Sequence, residues 1–246
     1  MTGKKRFHTI DTVRGFLLVN MIIYHLIWDI VWIFGVNWTW YTSSAANVWE
    51  KIGCSGFILL SGISWRISGN IKNKIKNGIL VLASRELVAA ASLLMPADDR
   101  IKCGVLTFLG SAMLIMIPLD KILKKVNNFV GLLVSGVLFS LFWGINEGTI
   151  VYGNVELPRQ LYSGGLMTYL GFMSGDFYSA DYFSLLPWIF MYICGYFLSP
   201  VVLSLGEKVL GIKAEPFAFM GRHSLIIYLL HQPLVYGVLY LIFKFI

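Results

Sequence analysis

The first apolar stretch of the chain carries ionisable side chains, and these are the residues that most need a chemical explanation. Four lie in or beside it: Asp11, Arg14, His25 and Asp29. At about 100° per residue, a helix places all four on one stripe about 60° wide. An ionisable group inside a long apolar helix is costly, so it is a functional hypothesis by default. We therefore expect this stripe to face the interior of a helix bundle or a wet cavity.

The second half of the stripe has the composition of an acid–base pair. His25 lies about 16 Å along the helix from Arg14, and Asp29 follows His25 by one turn. A carboxylate beside an imidazole fixes its tautomer and raises its basicity, as a general base requires. Two other interpretations stay open from the residues alone. A buried His–Asp pair can hold helices together, and chains of Asp and His also form proton or ion pathways.

The last apolar stretch repeats this pattern of polar groups at helical spacing. Ser224, Tyr228 and His231 lie at i, i+4 and i+7, which places them on one helix face. Pro233 removes a backbone hydrogen bond, and we expect a kink or local opening near Leu229. The polar face is explained equally well by substrate binding and by hydrogen bonds between helices.

The composition indicates that lipid surrounds these helices. Of the 246 residues, 57% are hydrophobic and 13% are charged, and the mean hydropathy is +0.71. Soluble domains carry about 25% charged residues, so this chain has too little charge to cover a water-facing surface. The basic residues lie between apolar segments, which argues against a nucleic-acid partner. Neither the three cysteines nor the four histidines, one of them His8 near the N-terminus, suggest a disulfide framework or a metal centre.

The pattern predicts an all-α, polytopic transmembrane bundle of about seven spans in a single domain over residues 1–246. A transmembrane helix needs about 20 mostly apolar residues. The candidate spans are 12–34, 48–67, 78–96, 104–119, 128–146, 184–205 and 222–243. The stretch 147–182 is too polar and Gly-rich to span, and we expect a short interfacial helix near 166–173 within it. A polar pocket is expected between the first, sixth and last spans.

The distribution of Lys and Arg predicts the orientation, because cytoplasmic loops collect positive charge. The richer side carries Lys4, Lys5, Arg6, Arg14, Arg66, Lys72, Lys74, Lys76, Lys121, Lys124, Lys125, Lys208, Lys213 and Arg222. The opposite side carries Lys51, Arg100, Lys102, Arg159 and Lys244. We therefore predict a cytoplasmic N-terminus, with the 147–182 loop and the C-terminus on the far side.

A further polar segment enters the sixth predicted span from the far side. Asp181, Tyr182 and Trp188 combine a carboxylate with aromatic rings. Such a set can shape a pocket for a polar acceptor. It is equally consistent with a helix start that carries an interfacial aromatic belt.

Taken together, the motifs resemble a family of membrane acyltransferases. The segments IDTVRG at 10–15 and NMIIYH at 20–25 resemble the start of the heparan-α-glucosaminide N-acetyltransferase catalytic-domain family, in its short bacterial form. The Arg14-to-His25 spacing is also similar to the membrane acyltransferase-3 group. Further similar segments follow in the family's order: FILLSGIS at 57–64, GVLTFLG at 104–110, DYF at 181–183, LPW at 186–188, GRHSL at 221–225 and HQP at 231–233. Thr107 stands where many relatives have His or Gln.

This resemblance implies acyl transfer across a membrane, in a multi-pass protein of a prokaryotic plasma membrane. Cytoplasmic acetyl-CoA would be the co-substrate, and a saccharide or amine of the cell envelope would be the acceptor. Arg14 and Arg66 would attract the CoA phosphates. His25 would act as the base or carry the acyl group briefly, with Asp29 orienting it.

The remaining roles concern the acceptor and the acyl carbonyl. Asp181, Tyr182, Trp188 and Ser224 are predicted to bind substrate, and Tyr228 and His231 to bind or polarise the carbonyl. Membrane enzymes of this type can form homo-oligomers. The alternative function is a small proton- or solute-coupled transporter or channel that uses the same Asp/Arg/His stripe, and a third is a structural subunit.

Overall fold

A computed structural model describes residues 6–93, 100–179 and 181–245, and most of them are helical. The chain divides into two compact units. The first comprises residues 1–60 and 203–246, and the second comprises residues 61–202. In chain order the helices are α1 (His8–Trp28), α2 (Ser44–Ile67), α3 (Ile71–Ser92), α4 (Val105–Leu123), α5 (Asn128–Leu141), α6 (Gly165–Leu170), α7 (Trp188–Ser204), α8 (Gly206–Leu210), α9 (Phe217–Arg222) and α10 (Ser224–Lys244).

The long helices fall where the apolar segments predict them, with differences at their ends. The fourth predicted span stops at 119, but α4 continues through Pro118 to Leu123. The last helix likewise runs without a break through Pro233. The third predicted span ends at 96, and its residues 94–96 lie outside the described part of the chain, as do Lys4 and Lys5.

Four helical segments of the described chain are long and apolar enough to cross a membrane. They are His8–Ile33, Val105–Leu123, Asn128–Glu147 and Ser224–Lys244. Helix α7 is apolar but shorter, with 17 residues. The protein is thus a helical integral membrane protein, and the figure of seven spans stays a prediction.

The surface of α5 shows why lipid suits these helices. Phe129, Leu133, Val134 and Val137 form one exposed side at helical spacing, and each is more than half exposed. A soluble protein rarely leaves such a continuous apolar stripe uncovered. Hydrocarbon is the solvent in which this surface carries no penalty.

In the first unit, α1 and α9 cross at a contact that only glycine permits. A Cβ atom added to Gly15 would lie 1.9 Å from the carbonyl oxygen of Phe217, and one added to Gly221 would lie 1.8 Å from that of Asp11. Both obstacles are backbone atoms, which cannot rotate away. The two glycines therefore set the closest approach of these helices.

The same unit brings α1 and α10 side by side, running in the same direction. His25 contacts His231, Asp29 contacts Gln232, and Phe34 stacks on Phe243. Contact partners that rise together along both helices define a parallel pair. This pairing places the polar stripe of α1 against the polar face of α10.

In the second unit, short polar side chains fix the helix ends. Asn70 accepts the Lys72 backbone N–H at 2.9 Å at the start of α3. Asn127 accepts the Phe129 and Val130 N–H groups at 2.9 and 3.3 Å at the start of α5. Asparagine at these positions satisfies amides that have no partner inside the helix.

The 147–182 stretch contains more regular structure than the sequence suggests. Two short antiparallel strands, β1 (Thr149–Ile150) and β2 (Val155–Glu156), form a hairpin that was not predicted. The turn between them holds Val151 and Tyr152 at positive φ. The expected short helix near 166–173 is confirmed as α6, Gly165–Leu170.

Candidate active site

The centre of the first unit is a pair of imidazoles contributed by α1 and α10. The Nδ1 atom of His25 lies 3.2 Å from Nε2 of His231, and the ring centroids are 5.0 Å apart. His231 is 7% exposed. Sequence reasoning named both histidines but did not predict that they touch, because it assigned them separate roles.

A backbone carbonyl decides which nitrogen of each ring carries the proton. The Nδ1 atom of His231 lies against the carbonyl oxygen of Tyr228. A carbonyl only accepts, so Nδ1 of His231 is the donor, and in the neutral ring Nε2 is then an acceptor. Nδ1 of His25 must therefore donate to it, and the same imidazole also bonds the backbone carbonyl of Met21 one turn earlier. The lone pair of His25 is consequently on Nε2, the nitrogen that faces away from His231.

Asp29 has a different partner from the one that the helical spacing suggests. Its Oδ1 atom accepts from Nε2 of Gln232 at 2.6 Å, and its side chain is fully buried. Among the described contacts, His25 lies against His231 instead of Asp29, and the expected orientation of His25 by Asp29 stays a prediction. At Asp29 the helix changes to a π-helical turn, Asp29–Ile33. In this turn the Phe34 N–H donates to the Asp29 carbonyl at 3.0 Å.

An aromatic and acidic cluster adjoins His25 at the same level of the unit. The Tyr24 hydroxyl donates to Oε2 of Glu50 at 3.2 Å, and its ring lies 5.4 Å from that of Trp49. The Tyr41 hydroxyl donates to the Tyr24 carbonyl at 3.3 Å, and burial raises the pKa of Tyr41 far above its usual range. Sequence reasoning missed this cluster, although Tyr24 directly precedes His25.

At the other end of α1, the predicted phosphate-binding arginine is part of an ion group. Asp11 is buried and accepts from Nη1 of Arg14 at 3.1 Å and from Nε of Arg6 at 2.8 Å. The same Nη1 atom lies 3.4 Å from the Gly221 carbonyl oxygen. Two guanidinium groups share one carboxylate, so the group as a whole is positive. Such an excess suits an anionic ligand.

Comparison with protein families gives these residues a context. The family model described as "Heparan-alpha-glucosaminide N-acetyltransferase, catalytic" matches residues 6–233. The chain belongs to this family. Comparison with curated proteins and with solved structures finds no significant match. The match includes both histidines of the pair, and it makes an acetyltransferase activity the expectation for the chain.

In the second unit, several groups hold Arg66, a predicted contact of the CoA phosphates. Its Nη1 atom donates to Oδ1 of Asn128 at 2.8 Å and to the Tyr196 carbonyl at 3.1 Å. The guanidinium also lies 4.4 Å from the centre of the Tyr196 ring, whose hydroxyl donates to Asp120 at 2.7 Å. The contacts fix Arg66 rigidly at the end of α2, and its predicted CoA contact stays a prediction.

Thr107 lies in the first turn of α4. Its hydroxyl is buried and has no hydrogen-bond partner among the described residues, and the same holds for the hydroxyl of Tyr192. Buried hydroxyls are normally paired, so the second unit keeps unused polar capacity at this position.

The other residues predicted to bind substrate have partners within the second unit. Oδ2 of Asp181 accepts from the Val105 N–H at 3.1 Å and so caps α4. The Tyr182 hydroxyl donates to the Thr168 carbonyl at 2.5 Å, and burial raises the pKa of Tyr182 to about 12. Trp188 is 4% exposed and packs against Phe183. These contacts account for the three residues structurally, and their substrate roles stay predictions.

The last two predicted positions lie in α10 of the first unit. Ser224 is the first residue of the helix and is half-buried. The ring of Tyr228 lies 5.4 Å from that of His231. The carbonyl of Tyr228 sets the His231 tautomer, and its substrate role, like that of Ser224, stays a prediction.

Proposed function

We propose that the protein is a membrane acetyltransferase that moves an acetyl group from cytoplasmic acetyl-CoA to a saccharide or other polar acceptor at the far side of the membrane. The observation that carries the proposal is the His25–His231 pair, held between parallel helices of a chain that matches an acetyltransferase family over 6–233. Its hydrogen-bond order leaves one basic nitrogen, Nε2 of His25.

The reaction needs one base and one leaving group. The amine or hydroxyl of the acceptor attacks the thioester carbonyl, and Nε2 of His25 takes the proton that this group loses. The C–S bond then breaks, and the CoA thiolate takes the proton from the His25 imidazolium, so that free CoA leaves and His25 is neutral again. His231 stabilises the His25 imidazolium, because its Nε2 accepts a shorter, charge-assisted hydrogen bond from Nδ1 of His25.

The donor and the acceptor call for different surroundings. CoA carries phosphates, and the positive group formed by Arg6, Asp11 and Arg14 suits them at the N-terminal end of α1, with Arg66 as a second candidate. The polar acceptor is assigned to the region of His25, Tyr228 and His231. Asp181, Tyr182, Trp188 and Ser224 remain proposed substrate contacts on the strength of the family resemblance.

The parallel arrangement of α1 and α10 supports an odd number of spans. If both helices cross the bilayer in the same direction, the chain between them must cross it an odd number of times. Two of the four long apolar segments lie between them, which is an even number. At least one of α2, α3 and α7 must then also cross, and all three together give the seven spans that we propose, with a cytoplasmic N-terminus.

The decisive experiment is acetyl-CoA turnover by the full-length protein in nanodiscs. Release of free CoA is followed with a thiol reagent, after blocking Cys54, Cys103 and Cys194, for wild type and His25→Ala. We expect turnover in the wild type and a loss of about 10²–10⁴-fold in the variant, the usual contribution of a positioned base. His223→Ala is the matched control, because His223 is exposed and lies outside the pair.

The alternatives give different results in the same preparation. A transporter would show solute or proton flux in proteoliposomes without consuming the thioester, and a structural subunit would show neither. Full turnover in His25→Ala would remove the base assignment. Absence of acetyl-CoA binding and turnover in folded wild type would exclude the acetyltransferase.

A further inference from the structure

Two buried oxygen atoms beside the histidine pair have no hydrogen-bond partner among the described residues. They are Oδ2 of Asp29 and Oε1 of Gln232. The Asp29 side chain is 0% exposed. Unpaired acceptors in such a position are rare, because burial without a hydrogen bond destabilises the fold.

The hydrogen bond between Asp29 and Gln232 determines which of their atoms remain without a partner. A carboxylate only accepts hydrogen bonds, so Gln232 must turn its NH₂ group toward Oδ1 of Asp29, at 2.6 Å. The amide oxygen of Gln232 then points elsewhere. Both unused atoms are therefore acceptors, and they are separated by a single amide–carboxylate hydrogen bond. Only a group that donates hydrogen bonds can satisfy them.

Their place in the chain relates them to the proposed base. Asp29 lies one turn after His25, and Gln232 directly follows His231. The backbone opens into a π-helical turn that starts at Asp29. Such turns are uncommon and frequently occur at functional sites, because the wider turn replaces the regular hydrogen-bond ladder.

We propose that Asp29 and Gln232 bind the hydrogen-bond-donating group of the acceptor, an amine or a hydroxyl, and hold it beside His25. This inference rests on the proposed function, and it gives Asp29 a substrate-binding role in place of the orientation of His25. A carboxylate and an amide oxygen repel the phosphates of CoA and leave a thioester carbonyl unpaired. They match the acceptor, whose amine and hydroxyl groups donate hydrogen bonds.

The test measures acceptor kinetics and donor kinetics separately in the full-length protein in nanodiscs. D-Glucosamine and D-glucose serve as acceptor probes, because they share a ring and differ in an amine against a hydroxyl. We expect Asp29→Asn and Gln232→Leu to lower kcat/KM for the acceptor about 30-fold, the loss of one charge-assisted hydrogen bond. The KM for acetyl-CoA should change less than about 2-fold, since neither substitution removes a contact with acetyl-CoA.

Asn20→Leu is the matched control for Gln232→Leu. Asn20 is a side-chain amide of α1, and it donates to the Phe16 carbonyl of its own helix at 2.9 Å. Its substitution should leave both constants unchanged. A loss confined to glucosamine identifies the amino group as the bound group, and an equal loss for both sugars identifies a hydroxyl; either supports the site. An unchanged kcat/KM for the acceptor, or an equal loss in kcat/KM for acetyl-CoA, overturns it.

A binding measurement keeps this inference separate from the proposed function. Sugar binding stabilises the folded state, so glucosamine or glucose should raise the Tm of wild type without acetyl-CoA, and the two variants should lose that rise. If wild type binds sugar in this way but never consumes acetyl-CoA, the acetyltransferase proposal fails and the acceptor site stands. If neither sugar stabilises wild type, the site is overturned.

Discussion

At the scale of single residues, the site depends on which nitrogen of each imidazole carries the proton. The Tyr228 carbonyl fixes His231, and His231 in turn fixes His25, so that a backbone atom determines the protonation pattern two side chains away. A backbone carbonyl in a helix cannot be removed by substitution. The pattern is therefore best tested at His231, whose ring connects the Tyr228 carbonyl to His25.

We expect His231→Leu to lower kcat about 10²-fold, because Nδ1 of His25 loses the His231 acceptor that stabilises the imidazolium formed in the reaction. His231→Gln should restore part of the rate, since an amide oxygen can accept from the same N–H. The KM for acetyl-CoA should stay constant in both variants. If Gln fails to restore any activity while folding normally, His231 contacts the substrate, as the polarising role would require.

At the scale of elements, the crossing of α1 and α9 positions the positive group of Arg6, Asp11 and Arg14. The backbones touch at Gly15 and Gly221, where added Cβ atoms would overlap backbone oxygens. We expect Gly15→Ala or Gly221→Ala to destabilise the protein by about 2–3 kcal/mol, because rigid overlap forces the helices apart. Thermal unfolding in detergent should show a Tm lower by roughly 5–10 °C.

The control for this prediction is another helical glycine with open space. A Cβ added to Gly237 in α10 meets nothing within 4 Å. Gly237→Ala should leave the Tm unchanged or raise it slightly, since alanine favours the helix. Equal destabilisation by all three substitutions would mean that the crossing contact is not the cause.

The start of α9 provides the pH-dependent element. Glu215 pairs with Lys213 at 2.9 Å and Arg222 at 3.1 Å, and accepts the Phe219 N–H at 2.9 Å. These contacts lower the pKa of Glu215 to about 2 from its usual 4.5. A depressed pKa contributes stability above the unfolded value, and that stability is lost as the pH falls from about 4.5 toward 2.

The measurement compares melting curves between pH 6 and pH 3. We expect the Tm of wild type to fall across this interval by more than that of Glu215→Gln, which cannot lose a charge. Glu156→Gln, on the exposed strand β2, should behave like wild type. Identical pH dependence in wild type and Glu215→Gln would show that these ion pairs do not hold α9.

How much of this the sequence predicts depends on the range of each interaction. Helical periodicity along α1 correctly placed Asp11 and Asp29 at buried positions. It could not reveal that Asp29 pairs with Gln232, because that contact joins positions 203 apart and follows from helix pairing. Asp181 illustrates the same limit. It accepts the Val105 N–H at the start of α4, and this contact forms because a loop far along the chain returns to that helix.

At the scale of the whole molecule, topology decides whether donor and acceptor can meet from opposite sides. If α1 and α10 both cross the bilayer, their parallel arrangement requires an odd number of crossings, whereas four helical segments of the described chain meet the length and hydropathy criteria. Helices α2, α3 and α7 are the candidates for the missing crossings. Their polar ends and shorter apolar runs are tolerated where neighbouring helices cover them.

Reporter fusions test this parity directly. A reporter that is active only outside the cytoplasm, fused after Phe245, should be active, and so should one inserted in the β1–β2 turn at Gly153. The same reporter fused after Lys125 should be silent, because that loop belongs to the Lys-rich side. A reporter that is active only in the cytoplasm should give the opposite pattern at all three sites. Cytoplasmic activity after Phe245 would mean an even number of spans, and it would place α1 and α10 in opposite directions across the membrane, against the pairing of His25 with His231.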